Sequence, residues 1–508
     1  MNDQVNSVRR AQPDSLQATA RGRIRGLIVV ATVFAAAALA FAGTAAADPS
    51  TVSIPTVQQV GADDTLPVLK ANSADYTQHQ TEVETDTFSW GSSVVSTYQV
   101  GRNYPTYGAQ AIGWSTSTDS GQTWQHGLLP GLTSSSPSPN AAYPLVVNQS
   151  VGYSAKYGTW VAPSVPYLPA PNNTFKEAAL LVNTSADGVT WNSPSVAVST
   201  NVDKAWVSCD NTTTSPNYGN CYVVYSQIDS GELLAAVSSV DGGVTWSAPV
   251  SIPSSTGAAI AGYNTNVVVQ PSGKVVVVAT DLKNGVNGSK LMASQSSNAG
   301  ATWSVPTPLA TISYHTPAGG IRGLNKPTVD VDAAGVIYAA WGDCRFRTKC
   351  ASNDIVFATT SNGTTWSTPR RVAIDATTTT VDRFIPGFAV APGTSGATAQ
   401  LSVVYYTYPT AACTSSTCRL SVQYATSYDG GVTWSAPYTI NPTPMPLSWL
   451  TKGNKGPMVG DYESVSFCNG SAITVASIAT AAPTPKTTKT PLTYHQNEFA
   501  LTLPPNWG

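Results

Sequence analysis

The chain has 508 residues, 42% hydrophobic and only 11% charged, with 40 glycines, 36 prolines and a formal net charge of −2. That balance, with no basic stripe in the body of the chain, excludes nucleic acid as an expected partner. Short β-branched runs punctuated by Gly, Asn, Asp and Pro, without the Glu/Lys-rich profile of helical bundles, predict an all-β protein.

The first 47 residues stand apart. Arg9, Arg10, Arg21, Arg23 and Arg25 precede the apolar run LIVVATVFAAAALAFAGTAAA, Leu27–Ala47, which ends in small residues before Asp48-Pro49. This is the pattern of a secretory signal cleaved after Ala47. An uncleaved anchor is the alternative, since the run is long enough to span a bilayer. With residues 1–47 removed, residues 48–508 are expected to form one secreted domain with no stable membrane insertion. Thr51–Val60 then reads as a strand resembling Ser247–Pro253.

Six related phrases follow: STDSGQTW (Ser117–Trp124), SADGVTW (Ser185–Trp191), SVDGGVTW (Ser239–Trp246), SSNAGATW (Ser296–Trp303), TSNGTTW (Thr360–Trp366) and SYDGGVTW (Ser427–Trp434). Asp or Asn can bond the backbone two residues on, Gly supplies positive φ, and Thr opens a strand whose Trp buries a large flat surface. Turn chemistry thus accounts for the aspartates without a catalytic role. The second and fifth copies, one residue shorter, are expected to turn slightly differently.

Each phrase is preceded by a strand, such as LLAAVSS or DIVFATTS, and before that by a further strand pair, as in Pro327–Asp343. The repeat is therefore four antiparallel strands, A to D, with the Gly–Trp turn joining C to D. Such a repeat predicts propeller blades, with a stacked solenoid as the alternative. After the sixth turn only three strands remain: Gly460–Phe467, Ser471–Ala479 and Glu498–Pro504. If the N-terminal strand completes that set, the propeller has seven blades and no open edge; six blades with a cap is the alternative. The Pro/Thr-rich run Ala481–Pro491 reads as a loop in the last blade.

Three close cysteine pairs, Cys209/Cys221, Cys344/Cys350 and Cys413/Cys418, predict local disulfides in an oxidising compartment and leave Cys468 over. No CxxC pair exists and the four histidines are scattered, so no metal and no cofactor is expected.

The phrase S-x-D-x-G-x-T-W resembles the Asp box, or BNR repeat, of the sialidase superfamily, and the resemblance covers essentially all of the chain after residue 47. DKAW (Asp203–Trp206), WGDCR (Trp341–Arg345), DRFIP (Asp382–Pro386) and VGDYESV (Val459–Val465) also resemble phrases of secreted bacterial exo-α-sialidase-like proteins. The resemblance implies a glycan substrate and exo-glycosidase chemistry. It also implies three arginines gripping a substrate carboxylate, a Tyr nucleophile paired with Glu, and an Asp acid/base. A propeller that binds polysaccharide or protein without catalysis is the alternative. The chain lacks the first-blade F/Y-R-I-P string of sialidases; its nearest match, Arg383–Pro386, has the order changed, and a seventh blade departs from their six-bladed ring.

In a propeller the D–A and B–C loops share the face opposite the C–D turns, so polar residues there are the site candidates. Those placed before strand A are Glu82, Asp203 with Lys204, Asn325 with Lys326, Asp382 with Arg383, and Asp461 with Tyr462 and Glu463. Those placed in B–C loops are Arg102, Asp343, Arg345 and Arg347, with Arg322 before the fifth blade. Five of the eight arginines after residue 47 fall in this set. Mapped onto the resemblance, Arg102, Arg345 and Arg383 would hold the carboxylate. Lys204 and Asp461 would also bind substrate, Tyr462 would be the nucleophile beside Glu82 or Glu463, and Asp203 or Asp382 the acid/base. Tyr462 and Glu463 are neighbours on a strand and point to opposite faces, which favours Glu82 as the partner.

Overall fold

The computed structural model describes residues 55–61, 77–104, 107–171, 174–231, 233–253, 262–281, 287–482 and 494–504. The expected signal segment and most of the Pro/Thr-rich run lie outside the described residues. Runs such as VVVVATD (Val275–Asp281) and LSVVYYTY (Leu401–Tyr408) are buried almost throughout, too continuously for a strand with one wet face. The reason is that both faces of these strands are covered. One hydrophobic cluster joins Val161 and Val182 to Val207, Val223 and Val237 of the following sheet. Another joins Tyr338 and Phe357 to Phe388, Val403 and Tyr405 of the sheet after that pair.

The protein is all-β and built of four-stranded antiparallel units. One comprises Val202–Cys209, Cys221–Gln227, Leu233–Ser239 and Val250–Ser251; the next, Gly262–Val269, Val275–Asp281, Lys290–Ser296 and Thr307–Thr311. Two more of this plan begin at Thr328–Val331 and Asp382–Val390. The largest sheet strings further units together through single-residue contacts, Ala109 with Val146 and, in parallel, Thr81 with Gln496. At its end Thr56–Gln59 pairs antiparallel with Gln496–Leu503, Thr56 opposite Thr502 and Gln59 opposite Phe499. The amides of Val60 and Gly61 continue the contact to the Glu498 carbonyl at 2.9 and 3.3 Å.

The Gly–Trp turns are built as their residue types require. Ser117 donates to Asp119 Oδ1 at 2.8 Å, the Gly121 amide donates back to Ser117 Oγ, and the Thr123 amide donates to Asp119 Oδ1. Ser427, Asp429, Gly431 and Thr433 repeat the scheme. Asn298 replaces the aspartate without loss, because its Oδ1 accepts from Ser296 and Thr302 while its Nδ2 donates to the Thr302 hydroxyl. The short copy at Asp187 differs as expected: the Val189 amide, only two residues on, donates to the carboxylate. Hydrogen bonds from Thr433 hold the Asp429 carboxyl down to about 2, so the turn is charged and saturated.

The first strands position the site. In or beside each lies a residue in the left-handed region: Glu84 (φ 62°, with Gln80 at 56° in the same strand), Asn148 (53°), Lys204 (54°), Asn264 (57°), Asn325 (48°), Ile385 (53°) and, in the last unit, Gly460 (143°). Register shifts mark the same points, between Val83 and Asp86, Asp203 and Trp206, Tyr263 and Asn266, and Phe384 and Gly387. These are β-bulges, and a β-branched residue such as Ile385 adopts this conformation only under strong local constraint. At Asn148 the irregularity divides the first strand into Leu145–Val147 and Gly152–Ser154. Consequently Glu82, Asp203, Lys204, Asp382, Arg383 and Arg102 sit within strands, at or beside bulges, rather than in the loops where the sequence places them. Each first strand lies against the next: Gly262–Val269 against Val202–Cys209 and Thr328–Val331, Asp382–Val390 against Ser464–Cys468, and Ser464–Cys468 against Thr77–Trp90.

The three expected disulfides are formed, Cys209–Cys221, Cys344–Cys350 and Cys413–Cys418, and Cys468 is a buried thiol. No helix among the described residues is long and apolar enough to cross a membrane.

Candidate functional site

Bulges of the first, second and third units turn Glu84, Asn148 and Lys204 toward one cavity of about 390 Å³. The cavity is also lined by Arg102, Tyr167, Glu177, Asp203 and Arg322, with Tyr107 and Phe175 among the aromatic contributors. No Asp-box aspartate lines it.

Asp461, fully buried, anchors the floor. Arg322 grips it with both prongs, Nε to Oδ1 at 2.6 Å and Nη2 to Oδ2, and Lys204 Nζ lies 2.7 Å from Oδ2. Burial alone would raise the Asp461 carboxyl, but Arg322 and Lys204 overcome that and hold it far below the usual carboxylate range. Glu84 goes the other way: burial first, then the Asp461 charge, pushes it up. Gln99 donates to Glu84 and accepts from Arg102 Nη1 at 2.6 Å. Arg102 Nε is buried with no hydrogen-bond partner among the described residues. Asn148 donates to Asp203, and Lys204 Nζ reaches Asn148 Oδ1 at 3.4 Å.

On the opposite wall the Tyr167 hydroxyl donates to Glu177 Oε1 at 2.9 Å. Burial, then Asp203, raises the Glu177 carboxyl; burial, then Glu177 and Asp203, pushes the Tyr167 phenol well above its ordinary value. Such a carboxylate is a stronger proton acceptor than a solvated one.

The structure brings Arg102, Asp203 and Lys204 together around this cavity, with Asp461 beneath. It places the other candidates elsewhere. The Tyr462 hydroxyl donates to the Gln149 carbonyl at 2.8 Å, and its ring packs edge-on to Trp206 under the Lys326 ammonium. Glu82 accepts from the Glu498 amide at 2.9 Å, at the junction of the first and last strands. Glu463 accepts from the Tyr406 hydroxyl at 2.6 Å. Asp382 is bound by the Asn353 amide at 2.7 Å and by His315 Nδ1 at 3.2 Å. Arg345 folds back on Asp343. Arg383 joins Arg347 and Arg371 around Asp354 and Asp375. That is a convergence of three guanidiniums, but they hold two of the protein's own carboxylates.

Sequence reasoning missed Tyr167, Glu177 and Glu84. Glu84 had a signal: Glu82, Glu84 and Asp86 alternate in an otherwise strand-like run, which is unusual for a buried element.

Residues 78–309 match the family of BNR repeat-like domains. No curated protein matches. Among solved structures, the intramolecular trans-sialidase from Ruminococcus gnavus is 12% identical, with a TM-score of 0.43, covering 68% of this chain and 93% of that one. The endosialidase of phage phi92 is 11% identical, with a TM-score of 0.47, covering 89% and 70%. A PL25 ulvan lyase is 11% identical, with a TM-score of 0.46, covering 82% and 93%. With its six Asp-box phrases, the chain is thus similar over residues 78–309 to BNR repeat-like domains.

Proposed function

We propose that the chain is an exported seven-bladed propeller, closed by its N-terminal strand, that hydrolyses a terminal acidic sugar in the cavity around Arg102. Seven first strands, each against the next, support the blade count, and the Thr56–Gln59 pairing supports closure. Deleting residues 52–61 is expected to cost about 4 kcal/mol, near 1 kcal/mol for each backbone bond lost. Urea unfolding checks this, and an unchanged midpoint counts against closure. The signal-like residues 1–47 and the three disulfides support export.

The observation that carries the activity is the Tyr167–Glu177 pair opening on the same cavity as Arg102. Tyr167 takes the nucleophile role expected of Tyr462, whose hydroxyl is committed to a main-chain carbonyl. Tyr167 Oη attacks the anomeric carbon and its proton passes to Glu177 Oε1. Asp203 protonates the departing glycosidic oxygen, then deprotonates the water that cleaves the sugar–tyrosine bond, while Glu177 returns its proton to the departing Tyr167 oxygen. A neutral phenol serves where a carboxylate would be repelled by an anionic substrate. Arg102, with Nε unpartnered, receives the substrate carboxylate.

A fluorogenic sialoside tests this. Tyr167→Phe and Glu177→Gln are expected to lower kcat by roughly 10²–10⁴-fold, and Arg102→Lys to raise KM. A second reading, binding without hydrolysis, is favoured by one observation: Lys204 and Arg322 are already bound to Asp461. Sialoside binding without turnover by the wild type would select it.

A further inference from the structure

The first strands enclose a second cavity of about 350 Å³, and its chemistry is the reverse of the first. Asp86, Asp330 and Asp332 line it, with no lysine, arginine or histidine among the described residues that do so. Its aromatic walls include Trp206, Phe388 and Phe467, and Trp90 contributes an indole that is 41% exposed and stacked on Tyr153 at 5.6 Å.

We propose that this cavity binds an ammonium group, carried by an amino sugar or an aliphatic diamine. Carboxylates set among aromatic faces are the partners an ammonium requires, one set for its charge and the other for its cation–π contact. The protein holds its own example beside the cavity, where Lys326 Nζ lies 3.0 Å from the centre of the Trp206 ring.

Two further observations point to an absent partner. Ser466 lines the cavity, is 8% exposed, and its hydroxyl is buried with no hydrogen-bond partner among the described residues. A buried hydroxyl left unpaired is costly, and an ammonium hydrogen would satisfy it. Asp86 and Asp330 are both pushed up to about 6, chiefly by burial. Their charges are undercompensated. The charged group facing Asp86 is Lys326, itself driven well below its ordinary value by burial; the one facing Asp330 is the like-charged Asp332. Among the described residues, Asp332 is bound by the amides of Ala334, Val336 and Gly396, and Asp330 by those of Val331 and Val390.

Calorimetric titration of the full chain with glucosamine, putrescine and N-acetylglucosamine at pH 7.5 tests the proposal. Both amines are expected to bind in the millimolar range and N-acetylglucosamine, which lacks the charge, not to bind. Asp330→Asn is expected to weaken amine binding roughly tenfold, the loss of one charge-assisted bond. Ser466→Ala, which removes a hydroxyl nothing else uses, is expected to weaken it several-fold while leaving sialoside turnover unchanged. That last comparison separates this site from the one around Arg102. Glucosamine binding more tightly than putrescine assigns the ammonium to a sugar stacked on Trp90; the reverse order assigns it to an aliphatic amine. N-acetylglucosamine binding as tightly as glucosamine, amine binding unaffected by both substitutions, or no amine binding at all overturns the proposal.

Discussion

Asp461→Asn is expected to lower the free energy of unfolding by about 3–5 kcal/mol, the cost of breaking a buried ion pair from one side. Asp461 is fully buried and holds two cations at once, Arg322 through both prongs and Lys204 at 2.7 Å. The amide keeps the shape but removes the charge, so a guanidinium and an ammonium lose this counter-charge in a low-dielectric site. Relief comes from Glu84, whose carboxyl Asp461 pushes up; with that charge gone Glu84 ionises more readily and takes over part of the compensation. The loss is therefore expected near the lower end of the range. Adding Arg322→Met should recover part of it, since one of the two cations disappears, and a double-mutant cycle in urea measures the coupling. The same substitution frees Lys204 and Arg322 toward the cavity, so affinity for a carboxylated sugar is expected to rise as stability falls. Equal stability of Asp461→Asn and wild type would show that the two cations do not depend on this carboxylate.

The repeated units were legible because their signals are local. Ser427, Asp429, Gly431 and Thr433 make every bond that defines their turn with one another, so eight residues of sequence contain the whole structure. The disulfides were legible for the same reason, each closing a short loop. The site was legible only in part. Arg102, Asp203, Lys204 and Asp461 emerge from their placement in the repeat, but Tyr167 and Glu177 lie around the end of Thr159–Ala170 and a following strand, Thr174–Glu177, that the repeat does not foretell. The larger obstacle is the bulge. In a regular strand Glu82, Glu84 and Asp86 share a face. With Glu84 at φ 62° they part: Glu82 to the Glu498 junction, Glu84 to the cationic cavity, Asp86 to the acidic one. No side-chain period reveals this, because the positive φ falls on Glu, Asn, Lys, Ile and Gly alike. The same break separates Tyr462 from the cavity: it lies two residues past Gly460, beyond the point where alternation fails.

The junction between the first and last strands is expected to weaken as pH rises. Glu463 and Glu498, both buried, face one another there; Thr85 donates to Glu498 Oε2 at 2.6 Å and Tyr406 to Glu463 Oε1 at 2.6 Å, while Glu463 Oε2 and Glu498 Oε1 have no hydrogen-bond partner among the described residues. Burial pushes the Glu498 carboxyl up to about 8, and burial followed by the Glu498 charge pushes Glu463 well above its ordinary value. The folded protein therefore holds protons that the unfolded chain, with glutamates near 4.5, has released. Stability from this source is complete below that value, declines as pH rises, and is lost above about 8. Over the whole window the loss is at most about 5 kcal/mol for Glu498, and the two carboxyls titrate as a pair. Asp86 and Asp330 slope the same way but finish near 6, and His315, raised by its hydrogen bond to Asp382, adds a smaller decline above its ordinary value at a half-buried site. Glu84 and Glu177, also raised, slope the same way and Lys326, held low, slopes the other way, so the comparison of variant with wild type isolates the Glu463–Glu498 share. Glu498→Gln keeps an acceptor for Thr85 and removes the charge. It should flatten the pH dependence in the interval from pH 6.5 to 8 and leave the variant about 2–4 kcal/mol more stable than wild type at pH 8. Urea unfolding at half-unit pH steps measures both slopes; the same decline in variant and wild type would assign it to another group. Because Val60 and Gly61 bind the Glu498 carbonyl, the N-terminal strand should be the first segment to lose amide protection as the wild-type protein is taken through this interval.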